Sequence, residues 1–392
     1  MQKNRYIIVF TTIAILTFIV LGVIRWTNTP KIASRLDGGL LTSPITESGV
    51  QTLIPSEYIL NTGLNKEQVP PITNPVFTTI AASDAYLNDT TNGISLEVDG
   101  QQRFYPVQIL NHHYVVLDQD AQGSFAVTYC VFCRAGVVYD TNKKLHASEY
   151  VYSNNTLLED EDGNLWSQMT GMGVRGDNIG ERLQMRANVD IMTWADWKKM
   201  YPQGRVLSSE TGYTRDYGRH PFGGYDNNSR IYYPLSHIDT RIPKKWLLNG
   251  VLIDGQPVGF VHRVFAGFNV YQDKVNEIPY VALYNDLPQV NIFSSVVNGE
   301  TLEFTYDADT TYVTDIQTGS IWNANGYAIE GSFAGTQLTR LPSVEAMSMC
   351  WMSMYPESLL PKVPDVETDT ESHDESTPKN NVPENTSNDM QG

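Results

Sequence analysis

The residues best suited to chemistry are two cysteines three positions apart, Cys130 and Cys133. Such a pair can supply thiolates to a metal ion, act as a redox-active dithiol, or close a local disulfide. A thioredoxin-type pair opens a helix, whereas this one stands between two predicted strands, which favours a metal knuckle or a structural disulfide. Arg134, next to Cys133, favours the thiolate that redox chemistry needs. Three interpretations therefore remain open: a local disulfide or packed thiols, a metal site, and a redox pair.

A complete metal site needs more ligands, because structural zinc is held by about four. His112 and His113 lie upstream, and either can complete the set if its strand packs beside the cysteine turn. Thiolates with imidazole suit zinc or copper, which are the cofactors that this interpretation predicts. The third cysteine, Cys350, stays alone beside Trp351 if the other two pair with each other.

A second copy of this region occurs later in the chain and lacks the cysteines. Val98-Asp99-Gly100-Gln101 recurs 155 residues later as Ile253-Asp254-Gly255-Gln256, and Tyr129-Cys130-Val131-Phe132-Cys133 becomes Tyr284-Asn285-Asp286-Leu287-Pro288. The spacing of Gly171, Gly176, Gly180 and Leu183 is repeated by Gly326, Gly331, Gly335 and Leu338. A period of this length predicts two domain-sized lobes. A common fold explains what the copies share, so we expect the chemistry where they differ.

His113 also differs between the copies, because its counterpart is Phe268. An apolar residue at the matching position indicates that this side chain points into a core. We therefore interpret His113 first as a buried, hydrogen-bonded histidine and only second as a metal ligand.

Short runs rich in Val, Tyr and Phe, separated by turn residues, predict a mainly β (α+β) fold. In the first copy these runs are 94–98, 103–107, 114–117, 125–129 and 137–139. A short helix is predicted in each copy, over Met192–Met200 and Val344–Met354. The predicted fold class is two tandem homologous β-rich lobes with one short helix each, preceded by one N-terminal transmembrane helix.

Shifts in composition complete the predicted domain organisation. Its parts are a signal anchor or transmembrane helix (1–26), a stalk and lead-in (27–80), the first lobe with the cysteine pair (81–210), an inter-lobe segment (211–249), the second lobe (250–361) and an acidic tail (362–392). The tail lacks aromatic residues and is predicted to be disordered, since it cannot bury enough apolar surface to fold. The inter-lobe segment has no partner in the repeat and is predicted to wrap across the junction of the lobes.

Charge and hydropathy indicate where the protein works. The formal net charge of −17 at pH 7 argues against nucleic-acid binding, which needs basic surface. The apolar run from Ile7 to Ile24 spans ~27 Å as a helix, close to the thickness of a bilayer core. No Ala-x-Ala site or lipobox cysteine follows it, so an uncleaved signal anchor is favoured over a cleaved signal peptide.

Basic residues lie on both sides of this run, so their distribution does not decide the orientation. A short basic tail before an apolar run is the usual export pattern. The predicted localisation is therefore the cell membrane, with a single pass and the bulk of the chain extracytoplasmic. The N-terminal helix therefore predicts the membrane as a partner of this protein.

Five segments together are similar to the motifs of a known family. They are Tyr105-Pro106 followed by His112-His113, Tyr129-Cys130-Val131-Phe132-Cys133, Leu165-Trp166-Ser167-Gln168-Met169-Thr170-Gly171, Thr193-Trp194-Ala195-Asp196-Trp197, and Thr211-Gly212-Tyr213-Thr214-Arg215-Asp216-Tyr217. Over roughly residues 95–360 the chain resembles the DUF3179 proteins, a family whose name marks an unknown function. The resemblance therefore implies no reaction.

The chain departs from that family pattern at three places. Val131-Phe132 replaces Pro-Leu between the cysteines, Arg134 replaces the glycine that follows them, and Tyr114 replaces an acidic residue after the histidine. If that acidic residue is a ligand or a base in the family, this member lacks it.

A second interpretation is a non-enzymatic module that binds a ligand or partner in a cleft between the lobes. Its predicted lining is Trp166, Ser167 and Gln168 of the first copy with Arg215 and Tyr217 of the inter-lobe segment. The same residues also have a packing interpretation, as a buried indole and an inter-lobe polar network. The chain has no P-loop, Rossmann fingerprint, nucleophile elbow or zincin motif, which argues against nucleotide, serine-hydrolase and zincin functions. Whether the protein is an enzyme, and which ligand it binds, stay open at this point.

Overall fold

The computed structural model describes residues 39–265, 269–284, 290–307, 309–310 and 312–362. The predicted anchor, the tail from residue 363, Phe268 and Asn285–Pro288 lie outside the described residues. Within these ranges the fold is mainly β with a few short helices, as the sequence predicts. Within the same ranges, no helix is long and apolar enough to cross a membrane.

The described residues up to 210, called the first half below, form short strands and three α-helices. In chain order they are β1 (Ile45–Glu47), β2 (Val50–Thr52), β3 (Leu60–Asn61), β4 (Phe77–Thr78), α1 (Ile80–Ser83), β5 (Asn92–Val98), β6 (Gln101–Pro106), α2 (Val107–His113), β7 (Val115–Asp120), β8 (Gly123–Cys130), β9 (Ala135–Asp140), β10 (His146–Tyr152), β11 (Asn155–Glu159), β12 (Leu165–Ser167), β13 (Gly173–Arg175), β14 (Gln184–Met185), β15 (Val189–Thr193), α3 (Trp194–Met200) and β16 (Arg205–Leu207).

The described residues from 247 onward are called the second half. In chain order they form β17 (Leu247–Ile253), β18 (Gln256–Val261), α4 (His262–Phe265), β19 (Val270–Val275), β20 (Ile278–Tyr284), β21 (Val290–Ser294), β22 (Val296–Val297), β23 (Glu300–Thr301), β24 (Phe304–Asp307), β25 (Tyr312–Asp315), β26 (Ile321–Trp322), β27 (Ala328–Glu330), β28 (Ser343–Met347) and α5 (Ser348–Met354). Residues 211–246 join the halves with one short 3₁₀ turn, Tyr225–Asn227.

The first half is built from three sheets with the strand orders β1-β2-β13-β12-β11-β10-β3, β14-β9-β8-β7 and β15-β5-β6-β16-β4. The second half has four sheets of two to four strands with the orders β18-β17-β28, β19-β20-β21, β22-β23 and β24-β25-β26-β27. In each half a hairpin (β5–β6 or β17–β18) pairs antiparallel with the strand that precedes the tryptophan helix (β15 or β28). The hairpin, the pairing strand and the tryptophan helix therefore occur in the same order along the chain in both halves.

The repeated sequence adopts matching local geometry. Asp99 and Gly100 turn the first hairpin with φ of 52° and 74°, and Asp254 and Gly255 turn the second with 49° and 79°. Two-residue turns with positive φ at both positions suit the twist of antiparallel strands, and Asp-Gly favours them. In the same way, an aspartate accepts a hydrogen bond from the indole N–H of Trp166 (Asp160, 3.0 Å) and of Trp322 (Asp315, 2.9 Å).

Both predicted helices are shorter than the sequence indicated. Helix α3 begins at Trp194, because the hydroxyl of Thr193 caps it by accepting from the backbone N–H of Asp196 at 3.2 Å. The residues before α3 and α5 are strands, since they pair with β5 and β17. Helix α2 falls between two predicted strands and had no sequence signal that identified it.

Residues 39–80 belong to the stretch predicted as a stalk and lead-in. They contribute β1 to β4 and place Ile54 and Ile72 in the interior, with exposures of 0% and 2%. The largest apolar core also combines first-half residues with α5 of the second half. The largest core therefore includes residues of both halves, while two further apolar cores lie entirely within the second half.

Candidate functional site in the cysteine turn and the cleft between the halves

The cysteine turn, residues 130–134, joins two neighbouring strands. Cys130 ends β8 and Ala135 begins β9, and the turn is closed by the N–H of Cys133 donating to the carbonyl of Cys130 at 3.2 Å. The strand–turn–strand setting predicted from sequence is confirmed. Arg134 has a φ of 50°, a left-handed conformation that favours glycine. Its side chain is therefore placed by the fold at some conformational cost.

Cys133 forms a disulfide with Cys350, 217 residues away, with 5.7 Å between the Cα atoms. The proposed pairing of Cys130 with Cys133 is wrong for this structure, and so is an isolated Cys350. The reason is tertiary: β28 runs into α5 beside the turn, where the N–H of Met347 donates to the carbonyl of Cys133 at 2.8 Å. This hydrogen bond places the first turn of α5 next to Cys133.

Cys130 is left as a free, fully buried thiol. Its Sγ donates to the carbonyl of Asn154 at 3.3 Å and accepts from the backbone N–H and the hydroxyl of Thr156 at 3.3 and 3.5 Å. Burial raises the pKa of this thiol, although the hydrogen bonds from Thr156 oppose the shift. The resting group is therefore a protonated thiol, and the arginine next to Cys133 does not hold it as a thiolate.

Arg134 serves a different junction instead. Its guanidinium lies 4.0 Å from the carboxylate of Asp226 and interacts with Tyr129 and Glu345. Burial raises the pKa of Glu345 to about 7, with Arg134 acting in the opposite direction. This half-buried junction between the halves had no sequence signal, because its members are far apart in the chain.

The two histidines predicted as metal ligands are engaged elsewhere. His113 donates from Nδ1 to the carbonyl of Pro70 and accepts at Nε2 from the hydroxyl of Tyr217, both at 2.7 Å. Burial lowers the pKa of His113 to about 4, so it stays neutral, as expected for a core histidine. His112 donates to the carbonyl of Arg219 at 3.0 Å. In the described part of the chain, no three His, Cys, Asp or Glu side chains are grouped to hold a metal ion.

An aromatic strap, residues 211–246, covers the cysteine turn. The ring of Phe132 contacts those of Phe222, Tyr225 and Tyr233 at centroid distances of 4.7, 6.0 and 5.2 Å. The hydroxyl of Tyr225 donates to the carbonyl of Phe132 at 3.0 Å, and Asn154 pairs with the backbone of Tyr233 through both its amide atoms. The strap thus separates the cysteines from solvent, and their exposure is 0%.

The Trp-Ser-Gln segment lies beneath the turn and is fully buried. Gln168 donates to the hydroxyl of Thr128 on β8 and to the carbonyl of Ala135 on β9, both at 3.0 Å, and accepts from Asn155 at 3.0 Å. Ser167 hydrogen-bonds Asn155 at 3.4 Å. These contacts brace the two strands that carry the cysteine turn.

The five residues predicted to line one cleft fall into two groups. Trp166, Ser167 and Gln168 are core residues, whereas Arg215 is half-buried and donates to the carbonyl of Gln68 at 3.3 Å. The hydroxyl of Tyr217 joins His113 to Thr211. Contact of these five residues with a ligand stays a prediction, and their positions are those of packing and strap residues.

A different cleft lies between the halves, with a volume of about 590 Å³. Its lining is mostly polar and comes from both halves: Ser95, Leu96, Glu97, Asp99, Gly100, Gln102, Asp120, Gln122, Asp140, Arg186, Ala187, Asn188, Asp190 and Tyr201 from the first, and Phe293, Asn325, Gln337 and Arg340 from the second. Arg340 donates to Asp190 at 2.5 Å and to Asn291 at 2.7 Å, while its Nε has no partner among the described residues.

Sequence reasoning missed this cleft. Asn325 and Gln337 stand next to repeated glycine and leucine residues, which were explained as architecture, and the acidic residues are scattered over several turns. These residues come together only when the two halves fold and meet.

A family model described as a protein of unknown function, DUF3179, matches residues 66–358. The chain belongs to this family. The matched region of this DUF3179 member contains the cysteine turn, the strap and Cys350. No curated protein and no solved structure matches the chain.

Proposed function

We propose that this DUF3179 member is an exported, membrane-anchored binding protein whose ligand site is the cleft between the two halves. The observation that carries the proposal is the cleft itself, because both halves line it with polar side chains and its volume of about 590 Å³ suits a small molecule or a peptide segment. Because most of the lining side chains carry hydrogen-bonding groups, the proposed ligand is a polar molecule.

The cysteine turn has less support as the ligand site. Cys133 is committed to Cys350, and Cys130 is a protonated thiol under the strap. A metal or redox site at Cys130 and Cys133, with His112 or His113, would require these side chains to leave their present partners. We therefore place the thiol chemistry second to binding in the cleft.

The proposed localisation rests on the apolar run Ile7–Ile24 and on the disulfide. A buried disulfide between distant parts of a chain is typical of oxidising compartments outside the cytoplasm. The halves are proposed to be two tandem homologous lobes, since their hairpin turns and Trp–Asp pairs repeat. The net charge of −17 opposes a nucleic acid as the ligand.

Binding in the cleft can be tested with a pair of matched variants. Gln122→Ala removes an exposed side chain that lines the cleft, and Gln119→Ala removes the same side chain three residues earlier, outside the cleft. Amino acids, short peptides and oligosaccharides would be screened for a rise in melting temperature of the full-length protein in detergent. Calorimetry would then give the affinity of each compound that stabilises it.

We expect at least one class to bind, with an affinity at least about tenfold weaker in Gln122→Ala and in Gln337→Ala but unchanged in Gln119→Ala. A loss of one hydrogen bond to a ligand corresponds to that factor, since 1.4 kcal/mol is tenfold in affinity. A compound bound equally well by all four proteins would place its site elsewhere and contradict the proposal.

Localisation needs its own experiment. With an epitope tag at the C-terminus, protease added to intact, wall-stripped cells should remove the tag, and the protein should stay in the membrane fraction after carbonate washing. A tag that is protected until the cells are lysed would contradict an extracytoplasmic location.

A further inference from the structure

All three cysteines of the chain meet at one turn. Cys133 is bonded to Cys350, and Cys130 lies three residues before Cys133 in the same turn. The Sγ of Cys350 is 3.9 Å from the carbonyl oxygen of Phe132, one of the two residues between the turn cysteines. A free thiol and a disulfide are therefore held in the same small, dry volume.

The surroundings of Cys130 are those of a group that can carry negative charge. The backbone N–H and the hydroxyl of Thr156 donate to its Sγ, and these hydrogen bonds act to lower its pKa against the effect of burial. Donors of this kind stabilise a thiolate when one forms. A residue that only fills space would not need them.

We propose that Cys130, Cys133 and Cys350 form an exchange triad, in which the disulfide moves between Cys133–Cys350 and Cys130–Cys133. The thiolate of Cys130 attacks Sγ of Cys133, so that the Cys130–Cys133 bond forms and the Cys133–Cys350 bond breaks. Cys350 leaves as a thiolate and takes up the proton that Cys130 gave up. The number of disulfides is unchanged, so the step needs no oxidant or reductant.

Exchange changes what the covalent bond holds together. In the resting state it links the turn between β8 and β9 to α5 of the second half. After exchange it closes only the turn itself, and α5 is held by packing and by the hydrogen bond from Met347 to Cys133. The triad thus lets the protein release the link between its halves without losing a disulfide, a property beyond ligand binding in the cleft.

The pairing can be measured because trypsin separates the partners. Cys130 and Cys133 share the tryptic peptide 104–134, and Cys350 lies in 341–362. Full-length protein would be incubated at pH 7 or pH 9, alkylated in denaturant at low pH to stop exchange, and mapped without reduction. A linked peptide pair with alkylated Cys130 reports the resting state, and an unlinked pair with alkylated Cys350 reports exchange.

We expect the resting state at pH 7 and at least a tenfold larger exchanged fraction after the same time at pH 9, because the thiolate is the attacking species. In Cys130→Ala the peptides stay linked at both pH values. Thr156→Val, which removes one donor to Cys130, slows exchange severalfold while leaving the resting pairing intact.

Two results would overturn the triad. One is a wild-type protein whose exchanged fraction at pH 9 is no larger than at pH 7, measured while circular dichroism shows it folded. The other is a native protein that holds one metal ion per chain by elemental analysis and in which, after denaturation, alkylation labels all three cysteines as free thiols. The cysteines would then be metal ligands and not partners in a disulfide.

Discussion

Cys133 and Cys350 are bonded across 217 residues of sequence, with their Cα atoms 5.7 Å apart. The bond joins a turn in the first half to the first turn of α5 in the second half. Because α5 also packs in the main core with first-half residues, covalent and apolar contacts act at the same junction. Helix α5 is therefore tied to the first half both by a covalent bond and by apolar packing.

Loss of this bond should cost much of the stability of the protein. Cross-links that close long loops limit the unfolded chain most, so Cys350→Ser should lower the free energy of unfolding by about 2–5 kcal/mol. Guanidinium denaturation followed by tryptophan fluorescence measures the change. Cys130→Ala is the control, because it leaves the disulfide in place. Equal stability of Cys350→Ser and the wild type would mean that the disulfide does not form.

The two Trp–Asp pairs should contribute similar amounts to the free energy of unfolding. Asp160→Ala leaves the indole N–H of Trp166 without its acceptor, and Asp315→Ala does the same to Trp322, so each should cost about 2–3 kcal/mol. The exposed Asp162→Ala should cost less than about 0.5 kcal/mol. A large effect in one half only would argue against equivalent roles for the two pairs.

Asp160 should also make the protein sensitive to acid. Burial acts to raise the pKa of this carboxyl, but hydrogen bonds from Asn164 and Trp166 lower it below the usual value. A group with a lowered pKa in the folded state stabilises the protein above its unfolded pKa of about 3.9 and loses that contribution as the pH falls further. Denaturation midpoints of wild type and Asp160→Asn should therefore converge below about pH 4, and a constant difference would contradict this.

Glu345 should make the protein less stable as the pH rises, whereas Asp160 makes it less stable as the pH falls. Burial raises its pKa to about 7, against the influence of Arg134, whereas the unfolded chain has a value of about 4.3. The folded state favours the protonated form, so this contribution to stability is complete below about pH 4 and is lost as the pH rises through 7. Glu345→Gln should flatten the decline in stability between pH 5 and 7, and Glu303→Gln, an exposed control, should not.

The neutral state of His113 can be observed directly. Its Nδ1 donates to a carbonyl and its surroundings are dry, so the imidazole should titrate near pH 4 while an unfolded histidine titrates near 6.5. Stability contributed by the neutral ring is present above about pH 6.5 and is lost as the pH falls toward 4. NMR of the ring protons in wild type and Tyr217→Phe measures this, and a pKa near 6.5 in the folded wild type would contradict the buried hydrogen-bonded state.

Local features of the sequence were sufficient to predict much of the fold. Asp-Gly dipeptides specify the hairpin turns because they accept positive φ, and alternating Val, Tyr and Phe specify strands because they fit a pleated surface. A histidine with an apolar counterpart was correctly interpreted as a core residue at His113. The matching Trp–Asp pairs agree with the repeated glycine framework, whose interpretation as two lobes stays a prediction.

Long-range packing decided the cysteine pairing and the position of the cleft. The sequence placed Cys130 and Cys133 next to each other, and proximity alone suggested that they pair, but the tertiary structure brings α5 to the turn and gives Cys133 a partner from the other half. The cleft, too, exists only where the halves meet, because its polar side chains come from positions without a shared sequence pattern. The sequence by itself therefore determined the local elements, which depend on neighbouring residues, and only the tertiary structure decided the cysteine pairing and the site, which depend on how those elements pack.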